Sequence, residues 1–374
     1  MNSTKLFFSL LRHKLLGEEL KIEEYTQEEL AAAFHLAEIQ DYGHIIGEAA
    51  ISNNLVDKNS ELFTEMRRKL LISVYRSEQF TFYSESICKI LEENKIRHIP
   101  LKGAVLRNAY PEKYMRTSCD FDVLVPKEDT KRAADLIEKQ LNGKVRWVGV
   151  SDVSITFKSI AVVEIHFDLE KSGLDENSEV LRNIWNYVVP AQNSEYRYEM
   201  PDEYFYYYHI SHMAKHMKNG GCGIKPFVDL WFLNRDTSNR EARDKLLIKD
   251  GLKSFETISL SLANYWMGKG KSSAEIITYA KYILNSGVYG IVGNAVTNER
   301  IFRFDRVFLP PEQLAFQYRF LNKAPFLYPL FALVRIFRLL FITTPNVIYR
   351  KLIHSKKGSK ARNEIEELFR QFKL

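Results

Sequence analysis

Residues Ile99 to Asp129 read IPLKGAVLRNAYPEKYMRTSCDFDVLVPKED, and the two aspartates inside its apolar run decide how the chain is read. Phe121, Val123, Leu124 and Val125 continue as a buried strand would, yet Asp120 and Asp122 stand among them. Side chains two apart in a strand point the same way, so both carboxylates share one face, while Cys119, Phe121 and Val123 turn to the other and into a core. A carboxylate in such a strand is costly unless it is paired or bound to a cation. Two on one face call for a cation.

A later stretch, AVVEIHFDL from Ala161 to Leu169, has the same alternation. Val163, Ile165 and Phe167 form an apolar face, and Glu164, His166 and Asp168 form the opposite one. Glu164 is therefore expected to meet Asp120 and Asp122. Three converging carboxylates repel one another unless divalent cations are present, and hard oxygen ligands of this kind suit Mg²⁺ or Mn²⁺ better than zinc. Asp168 lies at the strand end, where a cap or a lysine partner is the simpler reading. Upstream, Lys102-Gly103 opens a short helix: glycine admits a phosphate close to the backbone and the lysine adds a counter-charge. An isolated Asp-x-Asp is weak evidence, but an upstream Lys-Gly and a downstream acid at strand spacing make a combined site.

Around this centre the pattern is helical. Stretches 23–51 and 62–96 carry apolar residues at three- and four-residue spacing, and the second ends in a turn-like ENKI. RHIPLKG reads as a short β step, AVLRNAY as a helix of one or two turns stopped by Pro111, and SCDFDVLV as a strand. KEDTKRAADLIEKQL is an amphipathic helix with a stop signal at Asn142-Gly143. KVRWVGV, VSITFK and AVVEIHFDL follow as strands, and helix returns from Pro201. This predicts an α/β core over residues 96–190, a helical region over 1–95 and a second helical region over 191–374. On the last, His209, His212 and His216 share one helical face; without an HExxH glutamate they read as packed histidines bonded to neighbouring carbonyls or carboxylates. The aromatic run Tyr204 to Tyr208 reads as core.

The 374 residues, 45% hydrophobic and 13% aromatic, suffice for two or three packed domains. Cys88, Cys119 and Cys222 are few, odd in number and without a CxxC pair, which predicts a reducing, cytoplasmic setting and argues against a zinc knuckle. The start, MNSTKLFFSLLRHKLLGEELKIEEY, is interrupted by Arg12, His13 and Lys14 and lacks a small-residue cleavage site, so no secretory signal is expected. The net charge of +6 is uneven: Arg319 to Arg362 hold ten Lys or Arg and no Asp or Glu, leaving +6 − 10 = −4 for the remainder. Within that basic segment, residues 324–343 are strongly apolar, but Pro325, Pro329, Arg335 and Arg338 make a transmembrane span costly, and a packed or interfacial helix is expected. An acid-free block of this length suits an acidic partner, either RNA or an anionic membrane.

LKGAVLRNAYP, the arginine of MRTSCDFDVLV, and VVEIHFDL together resemble the nucleotidyltransferases of the DNA polymerase beta superfamily, in particular the bacterial uncharacterised nucleotidyltransferases. A weaker likeness continues through HISHMAKHM and PFVDLW, to about Leu233. The resemblance implies an α+β fold: a minimal polymerase-beta-like core with a short mixed sheet and flanking helices, between N- and C-terminal helical regions. It also implies transfer of a nucleoside monophosphate from a nucleoside triphosphate to an acceptor hydroxyl. Asp120, Asp122 and Glu164 would hold Mg²⁺ or Mn²⁺, with Glu164 accepting the proton; Lys102, Gly103 and Arg116 would hold phosphates; His166, His216 and Asp229 would border the nucleotide. Two features depart from the superfamily pattern: Lys-Gly-Ala replaces Gly-Ser, so the hydroxyl expected there is missing, and the third acid is a glutamate. The acceptor is left open among RNA, protein and small molecules. A toxin-like enzyme modifying tRNA ends, a nucleotide-binding protein without turnover, and a peripheral membrane adaptor resting on Phe326 to Phe341 are the rival readings. By carboxylate repulsion alone, replacing either Asp120 or Asp122 with Asn is expected to leave the metal-free fold intact or more stable.

Overall fold

The structure is a computed structural model and describes residues 2–21, 24–149, 151–157, 162–169, 178–218, 221–287, 314, 318–322 and 324–338. The first helix, α1 (Ser3–Leu16), starts where the Asn2 side chain accepts from the Thr4 N–H and stops at Gly17 with a left-handed φ of 68°. Its buried Leu6, Phe7, Leu10 and Leu11 explain the apolar start of the chain as core. Stretch 23–51 forms two helices rather than one. A capping box of Thr26 and Glu29 opens α2 (Gln27–Ile39), and α3 (Gly43–Ser52) follows a turn in which Asp41 adopts φ 60°. Ser60 caps the 33-residue α4 (Glu61–Glu93), which ends at the predicted ENKI turn, with Lys95 at φ 58°.

A mixed five-stranded sheet follows. It comprises β1 (Ile99–Pro100), β2 (Asp120–Leu124), β3 (Lys144–Val148), β4 (Asp152–Thr156) and β5 (Val162–His166), in the order β1-β2-β5-β4-β3. Only β2 and β5 run parallel; the other pairs are antiparallel. Between β1 and β2 lies the one-turn α5 (Gly103–Leu106), and α6 (Thr130–Leu141) connects β2 to β3. The predicted stop of α6 is realised by Asn142, at φ 53°, while the Gly143 N–H donates to the Glu138 carbonyl at 3.1 Å. One sheet face is dry: Phe121, Val123, Ile155, Val163 and Ile165 pack with Ile87 and Leu91 of α4 and with Ala133 and Ile137 of α6. Cys119 does not join them and is exposed, because the ladder starts at Asp120 and the cysteine belongs to the preceding loop.

Beyond the sheet come α7 (Glu179–Arg182), a two-stranded ribbon of β6 (Val189–Pro190) and β7 (Tyr198–Glu199), then α8 (Asp202–Lys218), α9 (Lys225–Leu233), α10 (Arg240–Lys249), α11 (Lys253–Trp266) and α12 (Ala274–Ser286). Tyr206, Tyr207 and Tyr208 of α8 are buried, as the aromatic run predicts. The first and later helices share one core: Phe8 stacks on Trp266 at 5.4 Å, Phe227 meets Trp266 edge-on at 5.5 Å, and Arg12 Nη1 donates to the Trp266 carbonyl at 3.0 Å. Of the basic segment 319–362, the part after residue 338 lies outside the described residues; the preceding part holds α13 (Tyr328–Arg338). No helix among the described residues is long and apolar enough to cross a membrane.

Helices α3 and α4 approach closely at Gly47, where an added Cβ would stand 3.0 Å from Met66 Cβ and 3.2 Å from the Met66 backbone. Backbone cannot give as a side-chain tip can, so Gly47→Ala is expected to destabilise the protein by about 1–3 kcal/mol. A urea denaturation midpoint equal to that of the parent protein would show that α3 and α4 are not in this contact.

Candidate active site

Strand register sets the site. Asp122 pairs with Glu164 across the parallel β2–β5 ladder, Asp120 with Val162, and Leu124 with His166. Directly paired residues and residues two apart share a face, so Asp120, Asp122, Glu164 and His166 all lie opposite the dry core. Asp122, only 4% exposed, sits at the centre. Its Oδ1 lies 2.7 Å from His166 Nε2 and 3.0 Å from Lys102 Nζ, and His166 Nε2 is 3.6 Å from Glu164 Oε2. An ionised carboxylate only accepts hydrogen bonds, so Nε2 carries the imidazole hydrogen. One donor atom each from Asp122, Glu164 and His166 fall within 4.8 Å of one another.

Lys102 reaches Asp122 through an unusual backbone. The Leu101 N–H donates to the Asp122 carbonyl at 3.0 Å, and the next residue turns sharply, with Lys102 at φ 39°, ψ −112°. Such a conformation costs on the order of 1–3 kcal/mol in a residue with a Cβ and persists where its surroundings impose it. Gly103 follows, and the local sequence hides what its missing side chain does: a Cβ there would force Ser118 Oγ to turn away. That hydroxyl accepts from Arg116 Nη1 at 2.7 Å.

Arg116 is engaged by Asp229 and the loop before β2. Its Nε and Nη2 form a two-pronged pair with Asp229 of α9 at 3.2 and 2.9 Å, and Tyr110 donates to the same carboxylate at 2.8 Å. Arg116 and Asp229 are therefore brought together, but with each other. His209 is bonded to the Pro226 carbonyl at 2.9 Å, and the exposed His216 lies 3.2 Å from His212, Nε2 to Nε2. Two residues escape a reading by motif. Asp152 pairs with His166 across β4–β5 and so faces the acids; starting the strand at Val153 hides it. Ser118 is separated from Gly103 by a helix and a loop, and no spacing rule joins them.

The electrostatics divide the acids into two kinds. Burial opposes ionisation of Asp122, but the Lys102 ammonium and the His166 hydrogen bond outweigh it and hold the carboxyl well below the usual range. Burial first, and then the neighbouring carboxylates, push Asp120 and Glu164 up. Lys102 is held above its ordinary value: burial disfavours its charge, yet Asp122 more than compensates. One of the three carboxylates is neutralised by the protein and two are not. This oxygen-rich, under-compensated donor set fits a hard divalent cation.

A family model described as "Uncharacterised nucleotidyltransferase" matches residues 29–268, more than half of the chain. The chain belongs to that uncharacterised nucleotidyltransferase family. Its mixed sheet with flanking helices is the core expected of such a nucleotidyltransferase. A search of curated proteins found no match. Among solved structures, the antibiotic-resistance factor ANT(2'')-Ia, a solution structure, is similar at 12% identity over 51% of this chain and 97% of that one, with a TM-score of 0.35, too low to bear on the site.

The two kinds of acid behave oppositely on substitution. Asp122→Asn removes the partner of a half-buried ammonium and is expected to destabilise the metal-free nucleotidyltransferase by about 1–3 kcal/mol, against the expectation from repulsion alone. Glu164, with a raised folded pKa, contributes stability below its ordinary pKa that is lost as pH rises through the folded value. Glu164→Gln is thus expected to raise the urea midpoint at pH 7 and to flatten its dependence on pH above 4.5. Equal effects of the two substitutions in urea unfolding with a chelator present would overturn this division.

Proposed function

We propose that this nucleotidyltransferase moves a nucleoside monophosphate from a nucleoside triphosphate to an acceptor hydroxyl, with Mg²⁺ or Mn²⁺ held by Asp120, Asp122 and Glu164. One observation carries the reading: Asp122 and Glu164 are in register on parallel strands, beside Asp120, and the protein neutralises only one of the three. When bound, such cations supply Lewis acidity and charge neutralisation to the reacting phosphates. The acceptor oxygen bonds to the α-phosphorus, the bond from that phosphorus to the bridging oxygen breaks, and pyrophosphate leaves with the electron pair. Glu164, whose raised pKa suits a base, takes the acceptor proton.

The other residues fall into supporting roles in this reading. Lys102, paired with Asp122 in the nucleotide-free protein, turns its ammonium to the triphosphate, and Gly103 leaves room beside it. His166 keeps Asp122 oriented. Arg116 and Asp229 are positioning residues, because their donors and acceptors hold each other and Ser118. His216 is assigned to the border of the nucleotide because it contacts His212, whose imidazole feels the Lys102 charge. The sheet region 96–190 is taken as the catalytic core between helical regions 1–95 and 191–374.

A second reading, nucleotide binding without turnover, is favoured by the Lys102 ammonium on Asp122, where a protein cation already neutralises the central carboxylate. One experiment separates the two. The protein is incubated with each α-labelled nucleoside triphosphate, Mg²⁺ or Mn²⁺, and separate pools of RNA including tRNA, protein, and small hydroxyl compounds. Label is expected to enter one pool with release of pyrophosphate, and Asp120→Asn is expected to lower the rate about a hundredfold or more. Label transfer to tRNA alone would select the toxin-like reading, and nucleotide binding without transfer would select the inactive one. Undiminished transfer by the Asp120→Asn protein would overturn the metal-site assignment.

A further inference from the structure

Three consecutive tyrosines of α8 are buried, and they differ in what their hydroxyls meet. Tyr206 donates to Glu256 at 2.8 Å; Tyr207 donates to Asp250 and lies 2.8 Å from Ser178 Oγ. Tyr208 is 5% exposed, yet its hydroxyl has no hydrogen-bond partner among the described residues. A buried tyrosine ordinarily finds one, so a partnerless hydroxyl calls for an explanation. Its oxygen is not fully enclosed, which leaves it open to a group from outside the chain.

The surroundings of this hydroxyl are those of the active site. The Tyr208 ring lies in the core with Leu101 and Leu106, which bracket Lys102 and Gly103. Burial dominates and holds the phenol above its usual range; after burial, the charges that act on it are those of Lys102, Asp122, Asp120 and Glu164. One turn on, the His212 ring stands 6.1 Å from the Tyr208 ring, centre to centre, and feels the Lys102 charge too. Residues four apart share a helix face, so this face of α8 looks onto the lysine and the acids. None of those carboxylates accepts from Tyr208.

We propose that the Tyr208 hydroxyl donates a hydrogen bond to a phosphate oxygen of the bound nucleoside triphosphate, beside the Lys102 ammonium. The inference rests on the reading of the active site given above, and adds to it a tyrosine whose ring is core and whose hydroxyl is not. A neutral phenol donates one hydrogen bond, and a bond donated to an anionic oxygen is short and strong. The described residues supply no acceptor, so the acceptor arrives with the ligand. Lys102 and Tyr208 then meet the same phosphates, the lysine as a charge and the tyrosine as a directed donor.

The test uses the full chain with Mg²⁺ and two probes that cannot transfer a nucleotide: inorganic tripolyphosphate, and the α,β-methylene analogue of each nucleoside triphosphate. Affinities are measured by calorimetry. Tyr208→Phe keeps the ring and removes only the hydroxyl. It is expected to weaken binding of both probes about tenfold or more, with an unchanged or higher melting temperature, because no protein hydrogen bond is lost. Tyr206→Phe is the control: it loses the bond to Glu256, so its melting temperature is expected to fall while probe affinity holds. Unchanged affinity in the Tyr208→Phe protein, with or without slower transfer, would overturn the inference. A clear fall in the melting temperature of Tyr208→Phe would overturn it too, by showing that the hydroxyl holds the fold. So would loss of Mn²⁺ affinity without either probe, which would put the hydroxyl on the metal's water. Failure of the parent protein to bind either probe would overturn the active-site reading, and this inference with it. Weakened probe binding by Tyr208→Phe in a protein that transfers nothing would support the contact and select the reading without turnover.

Discussion

A carboxylate buried among other carboxylates must be compensated before the chain can fold around it, and the pairing of Asp122 with Lys102 and His166 meets that demand. Without it, a 4% exposed anion would stand in the sheet beside Asp120 and Glu164. The compensation reaches Asp122 from two sides. His166 lies two positions beyond Glu164 on the neighbouring strand, so the ladder that brings the acid close also brings a hydrogen-bond donor to Asp122. Lys102 comes from the turn after β1, at the cost of a strained backbone. Asp120 and Glu164 receive less compensation, and burial first, then the neighbouring carboxylates, push both up.

The loop entering β2 is where the helical regions meet this strand. Thr117 donates to Asp41, in the turn between α2 and α3, at 2.6 Å, and Lys225 at the start of α9 donates to Thr117 Oγ1 at 2.7 Å and pairs with Asp41. One residue earlier, Arg116 is clamped by Asp229, four residues along α9 from Lys225. Charged and polar groups that are both buried and satisfied fix a geometry more narrowly than apolar packing, since a shifted partner leaves a desolvated group unpaired. Elements far apart in sequence thus meet just ahead of Asp120, and the shared core around Trp266 holds their helices in place.

Much of this was legible because strand alternation is a strict rule. The placement of Asp120, Asp122 and Glu164 on one face, and of Phe121, Val123, Val163 and Ile165 on the other, follows from parity alone. The split between α2 and α3 was hidden because helical spacing continues through the turn; only the left-handed Asp41, in a position that its bond with Thr117 favours, breaks it. The partners of Arg116 were illegible for a different reason. An arginine before Asp-x-Asp is equally suited to a phosphate and to a buried carboxylate, and choosing between them requires knowing that α9 folds back onto this loop, 113 residues later. Asp152 was lost to a strand boundary drawn one residue late, which is the least reliable feature of any reading by pattern.

Gly103 shows that a glycine picked out by a motif can have a structural cause that the motif does not contain. The Lys-Gly-Ala stretch lacks the hydroxyl that follows glycine in Gly-Ser, and a reading along the chain ends there. In space, Ser118 returns a hydroxyl to the flank of Gly103, held by Arg116 and thereby by Asp229. A side chain at 103 would displace that hydroxyl before it met any phosphate. The glycine therefore answers to the loop that enters β2, and a bulky substitution there disturbs the packing of that loop. Ser118 is the separable partner: its loss removes a hydroxyl and leaves the glycine, the lysine and the strand register where they are.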